Sequence, residues 1–294
     1  MAKIFVTRPI PENGIAMLKA KGYEVQVGGS MPDADAIMPF LSDKITAQDI
    51  ENYPNLKIIA SYSVGFNHID LEAAKQRNIF VTNTPGTNEP AVAEYTIAAM
   101  LNISRRLSES DRATRAGKFT GWGMWDLLGD SIIGKTLGVV GMGKIGSRVA
   151  EIAQKGFDMK VIPIGPEQKI EDLLPECDFV SLHVPLLDST HHLMNEARLK
   201  LMKPSAFLIN SSRGPVVDEA ALVKALKEKW IKGAVLDVYE FEPAISPELL
   251  AMSNVLLTPH IAAGTLEVRT KMSEVVALNI IEALEGRIPP NLCK

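Results

Sequence analysis

Cysteine is scarce in this sequence, whose 294 residues include only Cys177 and Cys293. Two cysteines cannot build a disulfide framework or a cysteine-rich metal cluster, and the His, Cys, Asp and Glu residues show no metal-site spacing. The sequence also has no run of 18 apolar residues and no long apolar stretch of a signal peptide near its start. These absences argue against a disulfide-stapled secreted protein and a membrane protein. They predict a protein of the reducing cytoplasm without a bound metal.

An excess of basic charge is missing as well. Lys and Arg number 31 against 35 Asp and Glu, which gives a formal net charge of -4 at pH 7. Because the basic residues are scattered along the chain, we expect neither nucleic acid nor an anionic membrane as a partner. The composition is that of an ordinary globular protein, with 46% hydrophobic residues, and the length predicts roughly two domains.

Strand and helix patterns alternate along most of the chain. Most strand candidates are continuous apolar runs, which are typical of strands buried on both faces of a parallel sheet. We therefore predict an α/β fold with two Rossmann-like domains of doubly wound parallel sheets. The predicted strands are Lys3–Thr7, Tyr23–Val27, Leu56–Ser61, Ile79–Thr82, Thr136–Val140, Met159–Ile162, Asp178–Leu182, Ala206–Ile209, Gly233–Val238 and Val255–Leu257. The predicted helices are Glu12–Lys21, Pro90–Leu107, Ile145–Gln154, Glu219–Lys229 and Leu266–Leu284.

The two longest helical patterns, Pro90–Leu107 and Leu266–Leu284, mark the expected crossings between the domains. We expect one domain to comprise residues 1–92 and 263–294, and the other, residues 93–262, to be inserted in it. The segment Ser108–Ser131 is rich in Gly, Trp and charge. It is either an arm that forms an interface or an ordinary surface excursion.

A glycine-rich turn follows the predicted strand Thr136–Val140 and precedes a helical pattern. In G-x-G-x-x-G, the first glycine permits a tight turn, the second lets a pyrophosphate approach the backbone, and the third lets helix and strand pack closely. The helix N-terminus then holds the phosphates. Because a strand and a helix flank the motif, it predicts that NAD or NADP binds to residues 93–262. The motif consists of Gly141, Met142, Gly143, Lys144, Ile145 and Gly146.

The residue type that distinguishes NAD from NADP is missing after the next strand. An acidic residue should lie there, roughly 20 residues after the glycine motif, and bind the ribose 2′-hydroxyl. The sequence has Gly165 and Pro166 at this place, with Lys169 as the nearby cation. Without a carboxylate directly after the strand nothing there repels a 2′-phosphate, so the sequence slightly favours NADP. NAD stays open because no Arg follows to bind that phosphate and Glu167 lies close, past Pro166.

Polar residues follow the last three predicted strands, at the sheet edge where α/β proteins bind ligands. They include Arg213, the two acids Glu240 and Glu242, and His260. Arg is a bidentate partner for a carboxylate, and His exchanges a proton near neutral pH. A carboxylate beside the His favours the imidazolium and orients the ring. These are the parts needed to reduce a keto acid.

Together the segments resemble the D-isomer-specific 2-hydroxyacid dehydrogenase family over nearly the whole chain. The resemblance implies an enzyme that moves a hydride between NAD(P)H and a small 2-keto or 2-hydroxy acid. It also implies that residues 93–262 are the cofactor domain, that the remainder is the substrate domain, and that the protein is a homodimer formed through the cofactor domain. Besides the glycine motif, it rests on Leu56–Ile59, Ser63–Asp70, Thr82–Gly86, Asn210–Gly214, Asp237–Pro243 and Thr258–His260.

The resemblance also implies roles for individual residues. Arg213 should bind the substrate carboxylate and polarise the keto oxygen, and His260 should be the acid/base. Glu242, rather than Glu240, matches the partner of that histidine because it directly precedes a proline. The backbone N–H groups of Val64 and Gly65 should also hold the carboxylate, and Asp237 should contact the nicotinamide carboxamide. Further cofactor contacts are expected from Thr96, Gly165, His183, Val184, Pro185, Thr190, Ser211, Ser212, His260 and Ala262.

Within the family, the segment Trp122–Gly134 is most similar to the glyoxylate and hydroxypyruvate reductase branch. Phosphoglycerate dehydrogenase or another 2-keto acid reductase is the alternative. A nucleotide-sensing corepressor without catalysis shares the fold, but the set of Arg213, Glu242 and His260 favours an enzyme. Formate dehydrogenase is disfavoured because that branch carries Gln in place of Glu242.

Two places depart from the family pattern. The chain reaches Ala34–Ile37 sooner after Val27 than the pattern requires. After Gly165 it enters Ile170–Leu174 at once, without a helix and a strand that are usual in the family. Either both deletions are natural or segments are missing from the sequence. The second deletion lies beside the expected adenosine ribose and therefore bears on the choice of cofactor.

Overall fold

A computed structural model of the chain describes residues 1–293, which form two compact units. The first unit consists of Met1–Asn88 and the chain from Gly264 onward, and the second is Glu89–Ala263. The bounds expected from the sequence, 92/93 and 262/263, differ from these by four residues and one residue. No helix in the described part of the chain combines the length and the apolar character needed to cross a membrane.

Every strand predicted from the sequence is present, with ends that shift by one or two residues at most. The strands are β1 (Lys3–Val6), β2 (Glu24–Val27), β3 (Ala36–Met38), β4 (Ile58–Ala60), β5 (Phe80–Thr82), β6 (Thr136–Val140), β7 (Lys160–Ile164), β8 (Phe179–Leu182), β9 (Phe207–Asn210), β10 (Gly233–Leu236) and β11 (Val255–Leu257). The helices are α1 (Glu12–Ala20), α2 (Ala47–Glu51), α3 (Leu71–Gln76), α4 (Glu89–Arg105), α5 (Leu107–Arg115), α6 (Lys144–Phe157), α7 (Ile170–Leu173), α8 (Glu196–Leu199), α9 (Glu219–Lys227), α10 (Pro247–Ala251) and α11 (Leu266–Leu284).

The first unit is built on a five-stranded parallel sheet in the order β2-β1-β3-β4-β5. Its helices α1 and α11 cross closely. The N–H of Gly14 donates to the hydroxyl of Ser273 at 3.2 Å, and a Cβ on Gly14 would lie 2.2 Å from the carbonyl oxygen of Ser273. The glycine therefore allows the last long helix to pack against the first, which places α11 in this unit.

The second unit is built on a six-stranded parallel sheet in the order β11-β10-β9-β8-β6-β7. The strand order reverses between β6 and β8, and open α/β sheets bind ligands outside the carboxyl ends of the strands at such a point. β7 is an edge strand and therefore tolerates Pro163 in its interior. From Gly165 the chain soon enters α7, and no described strand lies beyond β7. The strand that is usual in the resembled family is thus absent from the described sheet, as the sequence predicted.

Side chains of the six-stranded sheet alternate between two hydrophobic cores, one on each face. In β8, Phe179 belongs to the core shared with α4 and α6, whereas Val180 and Leu182 belong to the core shared with α9. Because both faces of β8 are buried, its sequence is a continuous apolar run.

Several elements differ from the sequence-based expectations, and the short helices α2, α3, α7, α8 and α10 are not among the predicted helices. The strand β3 has three residues, too few for its apolar pattern to stand out, and it is missing from the predicted set. The predicted helix Pro90–Leu107 is interrupted because Arg106 has a left-handed φ of 54°, with its guanidinium held by Glu109 at 2.8 and 2.6 Å. The helix α5 follows and occupies the first part of the segment Ser108–Ser131.

Candidate active site

The turn between β6 and α6 is shaped by three glycines with different roles. Gly141 has a φ of 92°, and a Cβ on it would lie 2.5 Å from the carbonyl oxygen of His183. A Cβ on Gly146 would lie 2.0 Å from the carbonyl oxygen of Gly141. At Gly143, the N-cap of α6, a Cβ would meet no described atom within 4 Å. Packing requires the first and third glycines, whereas the second leaves the helix N-terminus open, so the turn fits a pyrophosphate.

The residues between these glycines differ in burial. Met142 and Lys144 are exposed, and Nζ of Lys144 lies 3.6 Å from the carboxylate of Glu89. Ile145 packs against the core beneath α6. The exposed face of the turn is therefore made of backbone and flexible side chains, as close approach by a ligand requires.

The segment after β8 lies against this turn. The N–H of His183 donates to the carbonyl oxygen of Val140 at 2.7 Å, and a Cβ on Gly141 would meet the side chain of Val184 at 2.9 Å. Burial lowers the pKa of His183 to about 4, and its Nε2 lies 2.9 Å from Oγ of Ser181. The side chain of His183 is therefore neutral and hydrogen-bonded at pH 7, and it lies beside the turn.

Thr190 and Pro185 belong to the loop that follows His183 and contact each other. The hydroxyl of Thr190 donates to the carbonyl oxygen of Pro185 at 2.6 Å and accepts from the N–H of Leu187 at 2.8 Å. The hydroxyl thus stabilises the loop that follows His183, and this is the contact that the structure shows for it.

Gly165 directly follows β7, at the same sheet edge as the glycine turn. The N–H of Gly141 donates to the carbonyl oxygen of Ile164 at 2.9 Å, and the N–H of Gly165 donates to Oε1 of Gln168 at 2.5 Å. A backbone turn closed by a glutamine therefore stands where a ribose-binding carboxylate would be expected.

Asn210 organises the turn that presents Arg213. Asn210 is fully buried at the end of β9. Its Nδ2 donates to the carbonyl oxygen of Arg213 at 2.9 Å, and its Oδ1 accepts from the N–H and the hydroxyl of Ser212 at 3.1 and 2.8 Å. Burial lowers the pKa of Arg213, and the charge of Glu242 opposes that shift. A guanidinium remains protonated in proteins, so Arg213 is a desolvated cation that favours an anionic partner.

Ser211 precedes this turn and faces the helix α4. Its Oγ lies 3.4 Å from Oγ1 of Thr96, which also donates to the carbonyl oxygen of Val92 at 2.8 Å. Thr96 is completely buried. The structure thus brings Thr96 and Ser211 together, as the expected nicotinamide pocket requires.

Glu242 and His260 form a pair. Oε2 of Glu242 lies 3.1 Å from Nδ1 of His260, and Oε1 accepts from the N–H of Tyr239 at 3.0 Å. Burial opposes ionisation of Glu242, but the hydrogen bond and charge of His260, the Tyr239 N–H and the charge of Arg213 outweigh it and lower the pKa of Glu242. Glu242 is therefore an anion at neutral pH, and its contact with Nδ1 leaves Nε2 of His260 as the nitrogen available to a substrate.

Asp237 holds the loop that carries His260. Asp237 is 1% exposed. Its Oδ1 accepts from the hydroxyl of Thr258 at 2.6 Å and from the N–H of Ile261 at 2.8 Å, and its Oδ2 accepts from the N–H of Ala262 at 2.8 Å. Its carbonyl oxygen accepts from the N–H of His260 at 2.9 Å, a residue with a left-handed φ of 56°. These contacts orient the loop, and a contact of Asp237 with nicotinamide stays a prediction.

Tyr95 extends this network from the helix α4. Its hydroxyl lies 2.5 Å from Oγ1 of Thr258, a residue 163 positions later in the chain. Burial raises the pKa of Tyr95, so its hydroxyl stays neutral. Sequence reasoning missed Tyr95, because a tyrosine on an apolar helix face has no local signal of such a distant contact.

Glu219 forms hydrogen bonds with the loop that carries Glu242, both before and after that residue. Glu219 is buried at the start of α9, and its N–H donates to Oε2 of Glu240 at 2.9 Å. In return, Oε2 of Glu219 accepts from the N–H of Glu240, and Oε1 accepts from the N–H of Ser246, both at 3.2 Å. Sequence reasoning missed this residue too, because an acid in the first turn of a helix is common.

One cavity of about 440 Å³ contains the predicted catalytic residues. A larger groove of about 790 Å³ lies elsewhere in the second unit, between α5 and Leu250–Leu257, and contains none of them. The chemistry of the side chains, rather than size, therefore selects the smaller cavity. It is lined by Arg213, Gly214, Pro215, Val238, Tyr239, Glu240, Phe241, Glu242 and His260.

Val64 and Gly65 lie in the first unit, in a turn that follows β4. The carbonyl oxygen of Val64 accepts from Nδ2 of Asn83 at 2.7 Å, and that of Gly65 accepts from the hydroxyl of Ser63 at 2.5 Å. Within residues 1–293, the N–H groups of Val64 and Gly65 have no protein acceptor. Adjacent amides of this kind suit an anionic group.

The second unit matches a known family. The model of the D-isomer specific 2-hydroxyacid dehydrogenases, NAD binding domain, matches residues 97–262, more than half of the chain. The chain belongs to the D-isomer specific 2-hydroxyacid dehydrogenase family. As a member of this family it is an oxidoreductase with a nicotinamide cofactor, and the fold and family expected from the sequence are confirmed.

Relatives within the family extend over the full chain. The glyoxylate reductase of Thermococcus litoralis is 46% identical and covers 99% of this chain and 96% of its own. That of Pyrococcus furiosus is 43% identical, with 99% and 94% covered. The alignment with each runs over 319 positions, more than the 294 residues present here. These relatives therefore carry residues that this 2-hydroxyacid dehydrogenase lacks.

Solved structures of the family superpose closely. The TT0316 protein of Thermus thermophilus has a TM-score of 0.93 at 40% identity and covers 99% of this chain and 100% of its own. An NADPH-dependent glyoxylate/hydroxypyruvate reductase of Sinorhizobium meliloti has a TM-score of 0.89 at 28% identity, with 100% and 98% covered.

Proposed function

We propose that this 2-hydroxyacid dehydrogenase reduces glyoxylate or hydroxypyruvate, with Arg213, Glu242 and His260 as its catalytic residues. The observation that carries the proposal is the Glu242–His260 pair, 3.1 Å apart, in one cavity with the desolvated Arg213. The names of the relatives, glyoxylate reductases at 43–46% identity, support this choice of substrate.

Arg213 binds the substrate carboxylate in this proposal. Its planar guanidinium offers two parallel N–H donors to a carboxylate, and burial strengthens the attraction because little water screens it. The unpaired N–H groups of Val64 and Gly65, in the first unit, are proposed as substrate-binding donors. Such binding selects an acid and directs the adjacent keto group.

His260 supplies the proton. Glu242 holds Nδ1, so the imidazolium presents Nε2–H to the keto oxygen and returns to the neutral ring after giving up this proton. The anionic Glu242 stabilises the imidazolium before transfer and keeps the ring in orientation throughout. In the reverse direction the same nitrogen accepts the proton of the hydroxyl group.

The nicotinamide supplies the hydride when it is bound. The turn from Gly141 to Gly146 is proposed to hold its pyrophosphate, and Thr96, Ser211, Ser212, Asp237 and Ala262 to surround the nicotinamide end. His183, Val184, Pro185 and Thr190 would line the adenosine side. The second unit is then the cofactor domain and the first the substrate domain.

NADPH is proposed as the preferred form of the cofactor. The first residue after β7 is Gly165, whose N–H donates to Gln168, so no carboxylate directly follows the strand and the nearest one in sequence is Glu167. Titration calorimetry with NADPH and NADH tests the proposal directly. A smaller dissociation constant for NADPH is expected, and a clear preference for NADH would overturn this part.

We propose further that the protein is a cytoplasmic homodimer that pairs through the second unit. The segment after α5 exposes a group of large apolar side chains, and Trp122 is 96% exposed. An apolar group of this kind suits an interface. Light scattering should give twice the chain mass, and replacing Trp122 and Trp125 by Ser should shift it toward the monomer. The group consists of Phe119, Trp122, Met124, Trp125 and Leu128.

The substrate proposal is tested by the rates of NADPH and NADH oxidation with glyoxylate, hydroxypyruvate, pyruvate and phosphohydroxypyruvate. The highest kcat/KM is expected with glyoxylate or hydroxypyruvate. A higher value with phosphohydroxypyruvate or pyruvate would contradict the substrate assignment. Cofactor binding without turnover of any acid would contradict the catalytic proposal.

A further inference from the structure

Three potential metal ligands come together around Glu240, which also lines the cavity. They are a nitrogen of His191, a nitrogen of His192 and a carboxylate oxygen of Glu240, all within 4.8 Å of one another. Nε2 of His192 already lies 2.6 Å from Oε1 of Glu240. The rings of His191 and His192 are stacked with centroids 4.1 Å apart. The sequence did not predict this cluster, because Glu240 comes 48 residues after His192.

The backbone around the cluster is well fixed. The N–H of His191 donates to the carbonyl oxygen of Leu187, and that of His192 to the carbonyl oxygen of Pro215, both at 2.8 Å. His192 has a left-handed φ of 48°. Because the backbone N–H groups of both histidines are hydrogen-bonded, the two side chains are presented together by an ordered backbone.

Carboxylates also stand behind the potential ligands. Nδ1 of His192 lies 4.0 Å from Oδ2 of Asp218, and Oε2 of Glu240 accepts from the N–H of Glu219 at 2.9 Å. Histidines that bind metals typically direct their second ring nitrogen to a carboxylate or carbonyl group, and ligating carboxylates are themselves hydrogen-bonded. The acids also make the surroundings of the cluster favourable for a cation.

We propose that His191, His192 and Glu240 bind a divalent transition-metal ion, with Zn²⁺ as the best match. Two imidazoles and one carboxylate are a ligand set that zinc uses, with a fourth position left to water. Ligands about 2 Å from a tetrahedral ion lie roughly 3.3 Å from each other. The exposed ring of His191 can turn to meet this requirement, and Glu240 exchanges its contact with His192 for the ion.

The ion would join two loops of the second unit. His191 and His192 belong to the loop after β8, and Glu240 to the loop that carries Glu242. A metal bridge between them replaces a single hydrogen bond with three stronger bonds. Binding is therefore expected to raise the melting temperature of the protein in the absence of cofactor and substrate.

The test is titration calorimetry of Zn²⁺ into the tag-free, chelator-treated protein at pH 7.5. Binding of one ion per chain is expected. His191→Ala and Glu240→Gln should each weaken it at least tenfold, and His191→Ala should leave the metal-free melting temperature unchanged because that side chain is exposed. His260→Ala is the matched control, since it removes the other His–Glu pair, and should retain the affinity.

Three results would overturn the proposal. The first is the absence of Zn²⁺ binding to the wild-type protein. The second is binding that survives His191→Ala with its affinity unchanged. The third is binding that disappears in His260→Ala, which would place the ion at the Glu242–His260 pair instead.

Discussion

Oε2 of Glu242 lies 3.1 Å from Nδ1 of His260, while Oε1 of the same carboxylate accepts the N–H of Tyr239 at 3.0 Å. One oxygen is thus tied to its own loop and the other to the ring across the cavity. The position and orientation of the imidazole therefore depend on the loop that carries Glu242.

Replacing Glu242 by Gln is expected to lower kcat/KM for keto-acid reduction about 10- to 100-fold. The amide keeps the size of the side chain but removes the charge that stabilises the imidazolium. Steady-state kinetics with a keto acid and saturating NADPH measure this loss. Glu240→Gln is the matched control, and an equal loss in that variant would contradict a special role for Glu242.

Replacing Tyr95 by Phe is expected to lower kcat two- to tenfold and to leave cofactor binding unchanged. The change removes the hydroxyl 2.5 Å from Thr258 and with it one support of Asp237 and the His260 loop. Loss of one buried hydrogen bond should cost about 1 kcal/mol of stability. Steady-state kinetics and NADPH titration separate the effects. The control Tyr23→Phe, in the first unit, should change neither kcat nor NADPH affinity. An unaltered kcat in Tyr95→Phe would contradict a role for Tyr95 in positioning the His260 loop.

The two glycines Gly143 and Gly146 should respond to alanine in different ways. A Cβ on Gly143 has space in the structure, so Gly143→Ala should keep its melting temperature and lose at least tenfold in NADPH affinity, because the methyl group fills the space for the pyrophosphate. A Cβ on Gly146 would lie 2.0 Å from the carbonyl oxygen of Gly141, so Gly146→Ala should lower the melting temperature. Unchanged NADPH binding by the folded Gly143→Ala protein would contradict the assignment of the phosphate site.

Acid should destabilise the protein through His183. Its pKa is about 4 in the fold, against 6.5 when exposed, so on acidification the unfolded chain takes up the proton first. The free energy of unfolding is therefore unaffected by protonation of His183 above pH 6.5. It decreases as the pH falls from 6.5 to about 4, by at most about 3 kcal/mol. Chemical unfolding at several pH values measures how steeply the free energy of unfolding falls with acidification. This dependence should be weaker for His183→Asn than for the exposed control His191→Asn. Equal slopes would contradict the buried neutral histidine.

The sequence predicted most of what local patterns determine. The strand Thr136–Val140 has the predicted bounds, and its glycine turn follows because hydrophobic runs and glycines act over short distances. β3 was missed because three residues carry too little pattern. The short distance from Gly165 to Ile170 predicted that a strand is missing at this edge of the sheet. It did not predict the hydrogen bond between Gly165 and Gln168 that closes the turn.

Contacts between distant segments could not be predicted in this way. Arg213 and His260 were singled out by their positions after strands, and Glu242 was chosen over Glu240 by the family resemblance. The structure places all three in one cavity. The contact of Asp237 with the nicotinamide carboxamide stays a prediction, and no signal in the sequence indicated that its carboxylate also holds the loop of His260. Tyr95 and Glu219 act through partners on other elements, and only the packed chain reveals those pairs.

The most direct test of the catalytic account is the turnover of His260→Ala with glyoxylate or hydroxypyruvate and saturating NADPH, measured beside its NADPH dissociation constant. The account predicts a loss of turnover of about 10²- to 10⁴-fold, the usual contribution of a positioned acid/base, with NADPH affinity close to that of the wild type. Turnover within a few fold of the wild type would contradict the assignment of His260 as the proton donor.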